Sequence, residues 1–384
     1  MLAATLQCSS AKHGCDRGVS RAQDAPLFFK KTGGFRMALH WQVLCLLFFS
    51  AGASASLPPP DWGQRQLGLP AAWQWHLGRE DIVVAVIDTG MDSQHADLRD
   101  NLWTNPGETG LDAQGRDKST NGIDDDGNGF VDDVHGWNFA AGNADIRDRH
   151  GHGTHVAGLI AGQRLGVAPK VKIMVLKYYD AKLSDRDHLR NTVAAIRYAV
   201  RMNARIINYS GGGLQASSRE EEAIREAAAR NILFVAAAGN ERSNSDILPF
   251  YPADYGLPNI LSVTAIDSRQ RVLASSNYGS RSVDLAAPGE NILSTLPGGA
   301  YGVMTGTSQA TAFASGAAAL LLSQEPELRN PAEVIRRLVR SGEAEKALKG
   351  KTKHGVRLNV HRALAQKGQP SSTASLEAAR FLFK

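Results

Sequence analysis

Six mainly apolar runs set the rhythm of this chain: Ile82–Ile87, Lys172–Leu176, Arg205–Tyr209, Ile232–Ala237, Ile260–Ala265 and Val283–Ala287. Their apolar residues are contiguous rather than alternating, which predicts strands buried on both faces, as in a parallel sheet. Between the runs the period changes. Leu189, Val193, Ile196 and Val200 recur at spacings of four and three, the signature of an amphipathic helix. Further helices are predicted over Ser218–Arg230, from Ser308 through the small-residue run GAAALLLS, and over Pro331–Arg340, where proline takes a first-turn position. Strands alternating with helices predict an α/β fold, a three-layer doubly wound sandwich around a mainly parallel central sheet.

The 384 residues fit one large domain. It is expected to span residues 61–366, behind the stiff boundary LPPP at Leu57–Pro60. Residues 367–384 form a short tail with no assigned role. Residues 1–55 read as an N-terminal extension followed by a secretory signal. Within Met37–Ala55, the apolar run Val43–Phe49 is too short for a transmembrane helix of ~20 residues. Ala-x-Ala steps follow at Ala51–Ala53 and Ala53–Ala55, and Lys30, Lys31 and Arg36 supply a positive flank. Met37 is then the expected start, and the mature protein is expected to be secreted, extracellular or periplasmic. Membrane association would arise only through an uncleaved signal.

Charge changes little in this picture. Of the 43 basic and 38 acidic residues, six and two fall in residues 1–55, leaving 37 against 36 in the remainder. Four of the five net positive charges are therefore local to the N-terminal stretch, and no nucleic-acid partner is expected. All three cysteines, Cys8, Cys15 and Cys45, lie there too, so the body has neither a disulfide framework nor a thiolate metal site.

Three segments carry chemistry. Asp88 follows the first apolar run, beyond the carboxyl end of a predicted strand, where functional groups gather in open α/β sheets. His152 opens the helix VAGLIAG, with His150 and His155 as neighbours. Ser308 begins a helix of small residues, where free backbone N–H groups and the positive end of the helix dipole favour a developing oxyanion. A hydroxyl needs a base to take its proton, and a carboxylate can hold that base in the right tautomer. Asn240 ends the run ILFVAAAG and could donate to an oxyanion together with the Ser308 N–H. Ser210, Gly211, Gly212 and Gly213 follow another strand, where exposed backbone could pair with an extended peptide. A zinc site is the competing reading of the histidines, but HGHGTH lacks the His-Glu-x-x-His pattern.

The segment Asn121–Phe139 predicts a calcium loop. Asp124, Asp126 and Asn128 are spaced like its first, third and fifth positions, Gly129 takes the sharp turn, and the Phe130 carbonyl is the seventh-position ligand. His135 stands where a closing glutamate would be, so Asp132 or Asp133 is expected to close a Ca²⁺ site.

Taken together, VIDTGMD, HGHGTHVAGLIAG and MTGTSQATA, with GVAP, IINYSGGG, VAAAGN, YPA and AAPGENILST, resemble the subtilisin-like serine proteases (subtilases) from about Trp62 to about Ala365. The resemblance implies a serine endopeptidase acting on proteins or peptides; a monomer is expected. Asp88, His152 and Ser308 then form the triad, and His152, not His150 or His155, is the base. It also puts Asp97 at a position that ligates a second Ca²⁺. Three residues depart from the family pattern: Gln309 where methionine is typical, Ala312 where proline is usual, and Gly211 where leucine is common. The last implies a more open pocket wall, with Phe250 towards the floor and Glu241 at the rim. About thirty residues separate Leu57 from Asp88, too few for the propeptide many secreted members carry.

Overall fold

A computed structural model describes residues 62–365; the extension, the signal-like segment and the tail lie outside the described residues. In chain order the elements are α1 (Trp62–Gln66), α2 (Leu69–Ala72), β1 (Val83–Asp88), β2 (Gly136–Asn138), α3 (His152–Ala161), β3 (Lys172–Lys177), α4 (Asp185–Arg201), β4 (Ile206–Tyr209), α5 (Ser218–Ala229) and β5 (Leu233–Ala237). There follow β6 (Ile260–Ile266), β7 (Leu285–Pro288), β8 (Ile292–Leu296), β9 (Ala300–Met304), α6 (Thr307–Gln324), α7 (Pro331–Ser341), β10 (Glu343–Ala344), β11 (Val356–Arg357) and α8 (Val360–Ala365).

Nine strands form one sheet in the order β10-β11-β7-β6-β5-β4-β1-β3-β2, parallel throughout except for the β10–β11 pair. The apolar runs are contiguous because both faces are covered. In β1, Val84 and Val86 face the core shared with α3 and α6, while Ala85 and Ile87 face the core shared with α4 and α5. The same alternation divides Ile173 from Met174 in β3 and Val235 from Phe234 in β5. This is the three-layer α/β sandwich expected from the sequence.

The topology prepares the site. β1 pairs with β3 on one side and β4 on the other, so Val84 aligns with both Ile173 and Ile206. The chain leaves β1 for one half of the sheet and later returns to build the other. A crevice opens at the carboxyl ends where such a sheet reverses direction, and Asp88 is the last residue of β1.

The six anticipated strands form, each with its boundary within two residues of the apolar run. Short elements were not legible. β2 has three residues, β10 and β11 have two each, and the β8–β9 hairpin carries a largely exposed strand with no apolar stripe. Helix α6 is buried on all sides from Thr307 to Ser323, which explains why it is small and apolar all round instead of striped. Among the described residues no helix is long and apolar enough to cross a membrane.

Candidate active site

Asp88, His152 and Ser308 are each at least nine-tenths buried. Asp88 reaches His152 with both oxygens: Nδ1 lies 2.8 Å from Oδ1 and 3.0 Å from Oδ2. An Nδ1–H donating to a carboxylate leaves Nε2 as the acceptor, the tautomer a general base needs. Burial by itself would weaken the imidazole's hold on a proton. The Asp88 carboxylate, with Asp148 beyond it, outweighs burial and holds the His152 pKa above its ordinary 6.5.

This approach depends on Gly153. A Cβ there would lie 2.1 Å from the Gly90 carbonyl oxygen and 3.1 Å from Asp88, so any larger residue would push α3 away from β1. A second carboxylate, which the sequence did not disclose, locks the helix start. Asp148 Oδ1 accepts from Thr89 Oγ1, His150 N and Gly151 N at 2.8–2.9 Å, and Oδ2 accepts from Thr154 N and Oγ1 at 2.9 and 2.7 Å. Thr89 in turn accepts from Gly153 N at 2.9 Å. Asp148 stands three residues ahead of the cap residue Gly151, outside the usual capping position, so its sequence signal is weak.

Ser308 lies in the first turn of α6. Its hydroxyl donates to the Ser210 carbonyl at 3.4 Å, and among the described residues no hydrogen bond joins it to His152. The two helix starts nonetheless meet where Gln309 Nε2 lies 3.5 Å from Nδ1 of His155. Nε2 of His155 faces the carbonyls of Ile292 and Gly302 at 3.0 and 3.2 Å and so carries the hydrogen. Nδ1 is then an acceptor, and Gln309 is its donor. Burial pushes the His155 pKa down to about 3, so the ring stays neutral. Gln309 thus has a polar partner that methionine could not serve. Ala312 is wholly buried within the unbroken α6.

Asn240 holds the other side of the serine turn. Its Oδ1 accepts from Thr307 N at 3.1 Å and Thr307 Oγ1 at 3.3 Å. The amide nitrogen makes no hydrogen bond among the described residues and is free to donate. A buried thread, Ser315 Oγ to Asn208 Oδ1 at 2.8 Å and Asn208 Nδ2 to Ser210 Oγ at 3.2 Å, ties α6 to β4 behind the serine.

The glycine segment is only partly as anticipated. The N–H and C=O of Gly211 and Gly212 bond to nothing among the described residues, whereas Gly213 is already paired with Tyr251 at 2.8 and 2.9 Å. The expectation of an open wall at Gly211 is overturned. A Cβ there would lie 2.6 Å from the Tyr178 hydroxyl and 3.0 Å from the Tyr209 ring, so these tyrosines fill the space a larger residue would occupy. Phe250 is buried beside the glycine segment. Its ring would lie 2.5 Å from a Cβ on Gly212 and 2.9 Å from one on Gly239, so it occupies the gap between the free backbone edge and Asn240. Glu241 accepts from Asn277 Nδ2 at 2.9 Å beside Gly239.

These features are those of a serine protease, and the comparisons agree. Residues 79–362 match the subtilase family. The chain belongs to the subtilase family. Its relatives include the major intracellular serine protease of Bacillus subtilis, 34% identical over 69% of this chain and 76% of that protein. The intracellular serine protease of Paenibacillus polymyxa is 34% identical over 74% of this chain and 82% of that protein. Subtilisin E of Bacillus subtilis is 34% identical over 70% of this chain and 62% of that protein. In structure, the fold resembles the epidermin leader peptide processing serine protease of Staphylococcus aureus, with a TM-score of 0.64 at 24% identity and 82% coverage of each chain. This subtilase is accordingly a serine endopeptidase.

The acidic loop is held by hydrogen bonds from its own neighbourhood. Asp133 is fully buried and saturated: it accepts from Asn105 Nδ2 at 2.8 Å, Asn128 Nδ2 at 3.0 Å and the Tyr198 hydroxyl. Asp132 accepts from Gly122 N at 3.1 Å. The Asn128 side-chain oxygen is taken by Phe130 N at 2.8 Å, and the Phe130 ring packs edge-on against Trp137 and Tyr198. The one carboxylate group among the described residues spaced to share a metal ion is Glu108, Asp124 and Asp126, which leaves out Asp132 and Asp133. Asp97 lies outside it as well. Its Oδ1 lies 3.5 Å from the exposed Arg164, while its buried Oδ2 has no hydrogen-bond partner among the described residues.

Proposed function

We propose that this subtilase is a secreted, monomeric endopeptidase in which Asp88, His152, Ser308 and Asn240 carry out acyl transfer. His152 takes the proton of Ser308 as the hydroxyl attacks the scissile carbonyl. Asn240 Nδ2 and the Ser308 N–H receive the oxyanion. His152 then returns the proton to the leaving amine, and water hydrolyses the acyl-enzyme. The observation that carries this reading is the two-oxygen contact of Asp88 with His152 Nδ1 at 2.8 and 3.0 Å, beside a helix-terminal serine and an unbonded amide.

The free backbone of Gly211 and Gly212 gives an extended peptide an edge to pair with. The Phe250 ring fills the adjoining gap, so substrates with a small side chain before the scissile bond fit best. Secretion rests on the signal-like segment 37–55, which lies outside the described residues.

Profiling a peptide library with the wild type and the Ser308→Ala variant tests the chemistry and the preference together. Cleavage after small residues by the wild type, lost in the variant, is expected. Undiminished cleavage by the variant, or a preference for large aromatic residues, overturns the corresponding part. N-terminal sequencing of exported protein tests secretion, and a chain still carrying residues 37–55 counts against it.

A further inference from the structure

Three arginines meet at the end of the sheet opposite the catalytic residues. Arg205 immediately precedes β4, Arg230 caps the carboxyl end of α5, and Arg329 lies in the connection between α6 and α7. With Asn203 and Asn231 they line one pocket of about 150 Å³. The pocket sits at the amino ends of β4 and β5, whereas Ser210 and Asn240 follow the carboxyl ends of the same two strands.

Single arginines are ordinary where helices end, because the last turn carries partial negative charge. Three that converge without a counter-ion need another cause. Among the described residues none of the three guanidinium groups forms an ion pair or a hydrogen bond, and the side-chain amides of Asn203 and Asn231 are likewise unbonded. Arg205 is half-buried. Burial and the charge of Arg329 both lower its pKa, against a weaker opposing pull from Asp81. Asp81 forms no ion pair with it, and both Asp81 oxygens already accept from Arg79, at 2.9 and 2.5 Å. In the connection that carries Arg329, Glu325 is held by Arg337 at 2.5 Å, and Glu327 forms no ion pair among the described residues. Like charges partly withdrawn from water repel one another. The described residues therefore leave a positive charge here that they do not neutralise.

We propose that Arg205, Arg230 and Arg329 form a binding site for a tetrahedral dianion of the phosphate class, either the free ion or a phosphate monoester. A guanidinium fork presents paired N–H donors to two oxygens, and a tetrahedral dianion can be met by such forks from three sides. A carboxylate offers one charge and two oxygens, too few for three forks. The bound anion joins the α4–β4 and α5–β5 turns to the α6–α7 connection. It stabilises the fold and takes no part in peptide cleavage.

The test uses the full chain carrying Ser308→Ala to prevent self-digestion. It is titrated with inorganic phosphate and, separately, with a short phosphoserine peptide, at constant ionic strength. Calorimetry is expected to show one anion bound, with the unfolding temperature rising as the site fills. The tighter of the two probes distinguishes free ion from ester. Arg205→Gln is expected to weaken binding at least ~10-fold, because charge-assisted hydrogen bonds are lost. Arg186→Gln, exposed in the first turn of α4 and so at its far end, leaves binding unchanged. Arg329→Gln, at an exposed position, weakens binding too, and it raises the unfolding temperature without phosphate by relieving the repulsion on Arg205. It keeps the test decisive if Arg205→Gln does not fold. Absence of saturable binding, equal stabilisation by chloride or acetate at the same ionic strength, or unchanged affinity in the pocket variants overturns the proposal.

Discussion

The proton inventory of His152 has a kinetic consequence. The ring must be neutral to accept the Ser308 proton, yet Asp88 and Asp148 hold its pKa above 6.5 despite burial. The acid limb of kcat/KM is therefore expected at a pH higher than a free imidazole would give, with activity rising as pH passes through that value. Asp88→Asn removes the charge that raises the pKa and the acceptor that fixes the tautomer. A kcat loss on the order of 10⁴-fold is expected, with the acid limb moved to lower pH. A full pH–rate profile of both proteins decides this, and an unmoved limb would refute the assigned cause. The triad residues were legible in the sequence because each sits in a short, distinctive context. Asp148, Asn208 and Thr89 were not, because each acts through hydrogen bonds that no apolar period or short motif reveals.

At the scale of elements, the site is a meeting of one strand end and two helix starts. Helix α3 has no capping side chain on Gly151, so its first turn depends on Asp148, five of whose contacts are N–H or O–H donors. Replacing Asp148 with alanine strands several buried donors at once. A stability loss of roughly 3 kcal/mol or more is expected, together with a fall in kcat as His152 loses its fixed position. Denaturant unfolding and steady-state kinetics on Asp148→Ala measure both, and a variant with unchanged stability would show that the cap is dispensable. The helix and strand periods anticipated these elements, but the hairpin β8–β9 had no readable period. It is tied on by Ser294 and Thr295, whose hydroxyls donate to the His155 and Thr154 carbonyls at 2.8 Å. Such contacts leave no trace in a hydropathy pattern.

Across the whole molecule, burial leaves its mark on carboxylates far from the chemistry. Desolvation raises the Glu220 pKa to about 7, although a hydrogen bond from Tyr255 opposes it, and raises that of Asp254 to about 6. The folded chain therefore holds protons that the unfolded chain has released, from the ordinary glutamate value of 4.5 up to about 7. Stability falls as pH rises through that window. Glu220→Gln is expected to flatten the fall, gaining up to roughly 3 kcal/mol at pH 8 and little at pH 4. Thermal midpoints in the Ser308→Ala background, taken across that range, test it; an equal effect at both ends would rule out titration as the cause. Sequence by itself determined the layered α/β fold, the candidate triad and the family, because buried strands require contiguous apolar runs and the triad's local contexts are distinctive. Only the tertiary structure decided what surrounds them: Tyr178 and Tyr209 closing the space at Gly211, Phe250 filling the gap beside Asn240, Arg164 standing at Asp97, and Glu108 joining the acidic loop. Close approach across a folded core is set by packing, which no local pattern encodes, even where, as for Tyr209 and Gly211, the partners are near in sequence.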